Sequence, residues 1–334
     1  MTTTLPILTV IVINWNGVRF LPRCFQSLRE QTLQNFQIIL ADNGSMDESV
    51  ALTERDFPEV NIVRLSENYG YAEANNRAAA ESSAKYLLFL NNDTHLDPHA
   101  LAAFVEAAEA DPLTHIWAPQ QWTYDGSRLL NIGMCIDILG YPCGGKDVFY
   151  SDGAAFFIRR AVFQLLGGFD SYYFMWWEDS DLCWRAWLRG YRVAPLPNVV
   201  IYHQAGGTAG SSLALAESYS TSVRKRYFAH RNQLATLLKN YSAPVLCVIL
   251  PLFAALTIAE IIALTVTGQR STLRDVYVAG WRDLLRHRSY IRAARRRIQS
   301  SRVVSDWHIL RRMRWQLTTV RLFLQVGVPT VKPR

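Results

Sequence analysis

Four acids crowd one stretch of this chain: Asp170, Glu178, Asp179 and Asp181 flank the aromatic run Tyr172-Tyr173-Phe174-Met175-Trp176-Trp177. Carboxylates are the side chains of general-base catalysis and of hard-cation binding. From Glu178 onward, Leu182, Cys183 and Ala186 share one helical face, and Gly190 closes the helix. Acids at a helix start complement its dipole, which lowers their pKa, whereas apolar surroundings raise it. The dipole explains acids at a helix start but not their place after six aromatic and apolar residues. Sequence alone leaves the winner of that contest open.

A second polar set stands where apolar runs end. The first run ends in Asn14-Trp15-Asn16-Gly17 and the second in Asp42-Asn43-Gly44-Ser45. The third leads to Asn68-Tyr69-Gly70-Tyr71, and YLLFL (86–90) ends in Asn91-Asn92-Asp93. One such end is ordinary turn chemistry. Four in succession on one sheet edge point to a polar ligand crevice.

The elements that must position these residues follow from the pattern. LTVIVIN (8–14), FQIILAD (36–42), NIVRLS (61–66) and KYLLFLN (85–91) read as strands. Helices are expected at 20–31, 47–57 with Asp47 as N-cap, 72–82, and 98–111 with Pro98 near the first turn. This alternation predicts a parallel α/β sheet covered on both faces, with ligands beyond the carboxyl ends of the strands. No GxGxxG follows the first strand and no GxxxxGK[ST] occurs, which disfavours dinucleotide oxidoreductases and P-loop enzymes.

The chain has 334 residues, enough for one large or two smaller units, and half of them are hydrophobic. The five cysteines (24, 135, 143, 183 and 247) form no CxxC pair, so a reducing compartment is expected. The apolar run from Leu5 to Ile13 lacks the basic start of a secretory signal. The net charge of +7 conceals a split: residues 270–334 carry 16 Lys+Arg against 3 Asp+Glu, a net +13, which leaves −6 on the rest. Such a tail suits an anionic surface, lipid or nucleic acid.

Seven segments in order carry a family resemblance: VIVINWNG, ADNGSMDES, ENYGYAEANNRA, LFLNNDT, SDGAAFFIRR, GGFDSYYFMWWEDSDLCWR and IYHQAGGT. The chain resembles family 2 inverting glycosyltransferases with the GT-A fold, in the rhamnosyltransferase-like subgroup of bacterial cell-surface polysaccharide assembly. The likeness covers about 7–210 and continues through YFAHRNQLATLLKNYS (227–242).

The resemblance implies roles. Asp42, with Asn14 beside it, looks like the acid that hydrogen-bonds a pyrimidine base. Asn68, Gly70 and Asn75 resemble the segment lining the nucleotide. Asp93 matches the last acid of the metal-binding DXD motif, with Asn91 at its first position and Asn92 between them on the donor side. His203 resembles the histidine that completes metal coordination. Asp179 matches the catalytic base and Glu178 its neighbour in the ED pair. Asp152 and Gly153 match a segment bordering donor sugar and acceptor.

Sugar transfer from a nucleotide donor must stabilise a diphosphate leaving group, and a hard cation does so electrostatically. One carboxylate and one imidazole suit Mn²⁺ or Mg²⁺. The acceptor hydroxyl needs a base on the opposite face of the sugar, and direct displacement then inverts the anomeric carbon. The expected donors are dTDP-rhamnose, then UDP-sugars, and the expected acceptor is a glycan or lipid-linked glycan. A histidine ending a strand also suits a plain core or edge position. His95 reads as a surface-loop residue. QQW (120–122) reads as strand and loop.

The expected organisation is a catalytic domain at 1–212, nucleotide-binding to about 120, followed by a helical region at 213–334. APVLCVILPLFAALTIAEIIALTVTG (243–268) is long enough to cross a bilayer. A single crossing would separate the body from its Arg-rich tail, although both belong on the cytosolic side. A helix pair broken near Pro251, re-entrant or interfacial, avoids that conflict. The Trp- and Arg-rich tail resembles interfacial helices. The region is therefore expected to hold the protein peripherally or re-entrantly at the cytoplasmic face of the membrane, against anionic lipid. Packing on the body or in a homodimer is the other expectation. No nucleic-acid reading module is present. Two further readings stay open: a nucleotidyltransferase, and a scaffold that binds nucleotide or glycan without turnover.

Overall fold

The computed structural model describes residues 5–143, 147–204 and 220–332. Its elements begin β1 (Leu8–Asn14), α1 (Leu21–Arg29), β2 (Phe36–Asp42), α2 (Ser49–Asp56), β3 (Asn61–Arg64), α3 (Gly70–Ala80) and β4 (Tyr86–Asn91). β5 (Thr94–Leu96), α4 (Ala100–Ala110), β6 (Thr114–Thr123), β7 (Leu129–Ile132), β8 (Cys135–Ile136) and β9 (Pro142–Cys143) come next. β10 (Ala155–Arg159), α5 (Arg160–Leu165), α6 (Glu178–Leu188) and β11 (Arg192–His203) follow. β12 (Ser220–Ser222), α7 (Val223–Asn240), α8 (Ala243–Val266), a π-helical turn (Leu273–Val278), α9 (Ala279–Arg286) and α10 (Arg288–Ser300) open the last part. α11 (Asp306–Leu310), α12 (Thr318–Val326) and β13 (Thr330–Lys332) complete it.

Backbone contacts divide the chain into two compact units. The first gathers the residues through 134, 148–186, and the stretch from 191 through β11. The second holds 135–147, 187–190, and the elements from β12 onward.

The first unit is built on a nine-stranded sheet in the order β3-β2-β1-β4-β10-β6-β11-β5, with β7 on β6. The expected parallel arrangement holds for β3, β2, β1 and β4. Beyond β4 the sheet turns mixed: β10 runs antiparallel to both β4 and β6, and β5 antiparallel to β11. β1 is mostly apolar because helices cover both faces, and Leu8, Val10, Ile11 and Val12 are fully buried. Thr9 is buried among them with its hydroxyl 2.6 Å from that of Ser82. Register fixes the site edge: Asn14 pairs with Asp42, and Ile13 with Asn91.

Some expectations need correction. α2 starts at Ser49 with Glu48 at the N-cap position, one residue later than expected, while the Asp47 carboxylate accepts from Val18 N (3.0 Å) and Ser49 N (3.1 Å). QQW lies inside β6. His95 is no loop residue but a buried one in β5. Its ring stacks on Tyr202 at 4.6 Å and meets the edge of Tyr124 at 4.6 Å. Burial pushes its pKa down to about 4, so it is neutral at physiological pH.

In the second unit α10 caps α7. Arg295 donates to the carbonyls of Leu238 and Tyr241 at 2.6 Å each, and Gln299 to those of Lys239 (3.0 Å) and Asn240 (2.9 Å). These are the carbonyls a helix end leaves unpaired. The helix pair expected to break at Pro251 is instead one continuous helix, α8, of 24 residues. Leu246 and Ile249 before the proline, and Phe253 and Thr257 after it, are buried on one side, which holds both halves in line. That packing offsets the roughly 3 kcal/mol an interior proline costs.

Candidate active site

Asn14 ties three strand ends together. Its amide donates to Asp42 Oδ1 (3.2 Å) and Ser45 Oγ (3.0 Å), and its Oδ1 accepts from Asn92 Nδ2 (2.6 Å). Asp42 also accepts from Ser45 N at 3.3 Å. Gly17 lies so close that a Cβ there would sit 1.9 Å from Asn92 Nδ2. Asn43, which the motif reading passed over, links the next two loops. It donates to Asn68 Oδ1 (3.0 Å) and the Gly70 carbonyl (3.1 Å), and accepts from Tyr69 N (2.9 Å). Asn75 is buried on α3; its amide donates to the Tyr71 carbonyl at 3.0 Å, and its Oδ1 has no hydrogen-bond partner among the described residues. Asn14, Asn68 and Asn92 thus use amide groups to lock the loops that frame Asp42.

Gly70 joins this floor to the acidic side. Its φ is +81°, and a Cβ would stand 2.2 Å from the Phe174 carbonyl, which accepts from Tyr71 N at 2.7 Å. Gly70→Ala is therefore expected to lose about 2–4 kcal/mol of stability, from a left-handed backbone plus a steric clash. Chemical denaturation measures it. An unchanged midpoint would mean that the Phe174 loop yields freely.

That loop carries two residues in strained backbone: Trp176 (φ +64°) and Trp177 (φ +73°). Bulky residues rarely adopt this region, and such strain gathers at functional sites. It delivers the chain into α6 at Glu178. Asp179 Oδ1 accepts from Ser180 N (2.6 Å) and Oδ2 from Gly153 N (3.0 Å). The Gly153 carbonyl accepts from Tyr71 OH at 2.6 Å, and Asp152 accepts from Ala154 N at 2.8 Å.

Electrostatics sort the four acids. Withdrawal from water, then the charge of Asp152, pushes the Asp179 pKa up to about 7 against the pull of its backbone donors. Burial, then the charge of Asp179, holds Glu178 well above the usual carboxylate range. Among the described residues Glu178 Oε2 is buried without a hydrogen-bond partner, which suits a neutral acid. Burial thus wins the contest with the helix dipole. Asp181 belongs to a different group: it accepts from Arg185 Nε (2.8 Å) and Tyr173 OH (3.2 Å). Arg185 continues to the carbonyls of Leu166 (2.7 Å) and Gly168 (2.9 Å), bracing the loop before the aromatic run. Asp170 accepts from Tyr172 N at 3.0 Å within that loop.

Asp93 is buried, and its Oδ1 lies 3.3 Å from His203 Nε2. Pairing of β5 with β11 brings them together, with His203 opposite Thr94. Burial alone would lower the His203 pKa, yet the hydrogen bond and charge of Asp93 lift it above the ordinary imidazole value. Asp152 acts electrostatically on both His203 and Asp179, which links the two clusters. Residues 205–208 of IYHQAGGT lie outside the described residues. Among the described residues no three His, Cys, Asp or Glu side chains converge as a complete cation site.

The chain is similar to known proteins in sequence and in fold. Residues 9–167 match the family model for glycosyl transferase family 2. An N-acetylglucosaminyl-diphospho-decaprenol L-rhamnosyltransferase of Mycobacterium tuberculosis (strain CDC 1551 / Oshkosh) is 27% identical over 245 residues, covering 62% of this chain and 78% of the relative. The O-antigen chain rhamnosyltransferase RfbN of Salmonella typhimurium (strain LT2) is 26% identical over 214 residues, covering 59% of this chain and 66% of the relative. Among solved structures, the mannosyltransferase PcManGT from Pyrobaculum calidifontis in complex with GDP-Man and Mn2+ gives a TM-score of 0.54 at 18% identity, covering 84% of this chain and 88% of that one. GalNAc-T7 with UDP, GalNAc and Mn2+ gives 0.58 at 14% identity, covering 73% and 49%. These structural likenesses show the fold, the GT-A arrangement that the motifs resemble.

Proposed function

The chain carries a glycosyltransferase family 2 domain, and from that premise we propose that it moves a sugar, rhamnose first, from a nucleotide donor to a glycan or lipid-linked acceptor with inversion. The observation that carries this reading is Asp179. Its carboxylate is held by the Gly153 and Ser180 N–H groups, with a pKa pushed up to about 7. A base with that pKa is half deprotonated near neutrality, where proton transfer is most effective.

Asp179 takes the acceptor hydroxyl proton as that oxygen attacks the anomeric carbon. The bond to the donor phosphate oxygen breaks on the opposite face, and one displacement inverts the centre. Glu178, held neutral, leaves Asp179 as the charged member of the pair. Asp42 receives a base ring N–H of a pyrimidine nucleotide, within the frame kept by Asn14, Asn68, Gly70, Asn75 and Asn92. Asp152 and Gly153 border the donor sugar.

Asp93 and His203 fit a Mn²⁺ or Mg²⁺ ion in donor chemistry, since they bring a carboxylate oxygen and an imidazole nitrogen within 3.3 Å of each other. Two ligands are few, so donor phosphates and water would supply the rest. When bound, the ion neutralises charge on the diphosphate.

The relative from Mycobacterium tuberculosis is named for a diphospho-decaprenol substrate. With the apolar helix α8, that name supports work on a lipid-linked acceptor at the cytoplasmic face of the membrane.

The test is ligand-induced stabilisation with and without Mn²⁺ or Mg²⁺, followed by turnover. A bound donor at roughly 100 times its Kd adds about 2.7 kcal/mol. dTDP-rhamnose or a UDP-sugar is expected to stabilise the protein only with metal, and purine nucleotides far less. Equal stabilisation by purine and pyrimidine nucleotides would remove Asp42 from its role. Binding with no turnover on any acceptor would favour a scaffold, and diphosphate release from a nucleoside triphosphate a nucleotidyltransferase.

A further inference from the structure

We infer that α8 lies flat on an anionic bilayer, its outer face in the acyl boundary, and does not cross it. This rests on the membrane reading above and specifies how the attachment is made.

The inner face of α8 is fixed to protein along its length. Leu246, Ile249, Phe253, Thr257 and Leu264 are buried at three-, four- and seven-residue spacings. Glu260 falls on the same line. Its carboxylate accepts from Arg226 of α7 and from Tyr277 OH of the π-helical turn, the latter at 2.7 Å. Phe253 stacks on His230 of α7 with ring centroids 5.4 Å apart.

The outer face is apolar throughout. Val248, Pro251, Ala255, Ile258, Ile262 and Val266 recur at helical spacing and are all exposed. Val248 is 70% exposed, Ile258 56%, Ile262 57% and Val266 81%. A helix that shows one face to water carries polar residues there. α8 carries none on this face, over roughly 36 Å at about 1.5 Å per residue. Water is therefore the wrong solvent for it.

Crossing the bilayer would carry Glu260 and its Arg226 partner into hydrocarbon, or break the pair and leave a charge unpaired there. α7 cannot follow, because it also holds Arg224, Lys225, Arg231 and Lys239. Flat docking keeps the pinned face on protein and gives only the outer face to lipid.

Charge selects the occupant. On α9 and α10, Arg282, Arg286, Arg288, Arg292, Arg296 and Arg297 are exposed. The two acids after residue 276 are withdrawn: Asp283 contacts Arg231 at 3.5 Å and His287 at 3.4 Å, and Asp306 is buried against Arg302. A second copy of the chain would bring like charges together, whereas anionic headgroups complement them. Exposed Trp281, Leu285, Trp307 and Trp315 in the same unit suit the headgroup level.

The experiment uses the full chain with Cys143 and Cys247 changed to serine, and single cysteines in turn: Val248→Cys, Ile258→Cys and Val266→Cys. Each carries an environment-sensitive fluorophore. Vesicles of phosphatidylcholine, with and without phosphatidylglycerol, contain lipids bearing quenchers at shallow or deep positions. Flat docking gives all three sites the same shallow depth, on the anionic vesicles only. Ile258→Asp is expected to weaken vesicle binding about tenfold or more, with an unchanged melting temperature because the side chain is exposed. Greatest depth at Ile258, with the two ends near opposite leaflets, overturns flat docking but keeps the membrane reading. A fluorophore shift without vesicles, with a dimer in solution, makes a second copy the occupant and overturns the inference. No response to any vesicle overturns both it and the membrane reading.

Discussion

Asp179→Asn is expected to bind the donor about as well as the parent and to turn over some 10²–10⁴-fold more slowly, the usual loss when a general base is removed. The amide keeps the size of the side chain and gives up one of its two backbone N–H partners, Gly153 N or Ser180 N. In the parent, kcat/KM should rise with pH through about 7, because the base must be deprotonated. The variant should lack that limb. Stability runs the other way over the same window. A carboxyl whose folded pKa is raised favours the folded protein below its unfolded value, and that contribution is lost as pH climbs toward 7. Chemical denaturation between pH 4 and 8 should therefore show a shallower decline for Asp179→Asn. A folded variant with near-parent turnover would remove Asp179 as the base.

The site edge was legible because each buried strand changes abruptly from apolar to polar residues. Register then sets Asn14 opposite Asp42 and Ile13 opposite Asn91. What those residues do there was less legible. Asn14 and Asn92 look like ligand contacts in a motif, yet their amides bond to each other at 2.6 Å. Such a bond joins residues far apart in sequence, and local patterns carry no trace of it. Asp181 illustrates the same limit. Four residues from Arg185, it has an i,i+4 partner that could have been read from sequence. The clustered acids drew attention to themselves instead of to their counter-charge.

Conformation was hidden more deeply. Nothing in MWWED announces two tryptophans at positive φ, because their backbone is fixed by the packing around them. His95 looked like loop because Asn, Asp and Thr precede it. Its burial comes from β11, about a hundred residues on, whose Tyr202 covers the ring. Pro251 suggested a break because propensity treats a helix as isolated. Tertiary packing on both sides of the proline overrides that penalty.

Removing the Asp93 carboxylate is expected to have the other large effect. Asp93 supplies the one negative charge of the Asp93–His203 pair, held 3.3 Å from the imidazole. Asp93→Ala should weaken metal-dependent donor binding at least about 100-fold, the upper end of what even a supporting residue contributes at a metal site. His203→Ala should cost less, since it removes a neutral ligand and no charge. Asp93→Asn separates charge from shape: it keeps an oxygen near His203, and so should resemble Asp93→Ala if charge is what matters. Asn91→Asp should act in the opposite sense, placing a second carboxylate at the end of β4 and lowering the Mn²⁺ concentration needed for half-maximal donor stabilisation. The readout is the donor-induced shift in melting temperature across a Mn²⁺ titration, which needs no turnover. Chelation should abolish that shift in the parent, and added Mn²⁺ or Mg²⁺ should restore it. Full donor binding and full activity under thorough chelation would show that Asp93 and His203 serve as a buried ion pair closing β5 onto β11, with no ion between them and the diphosphate.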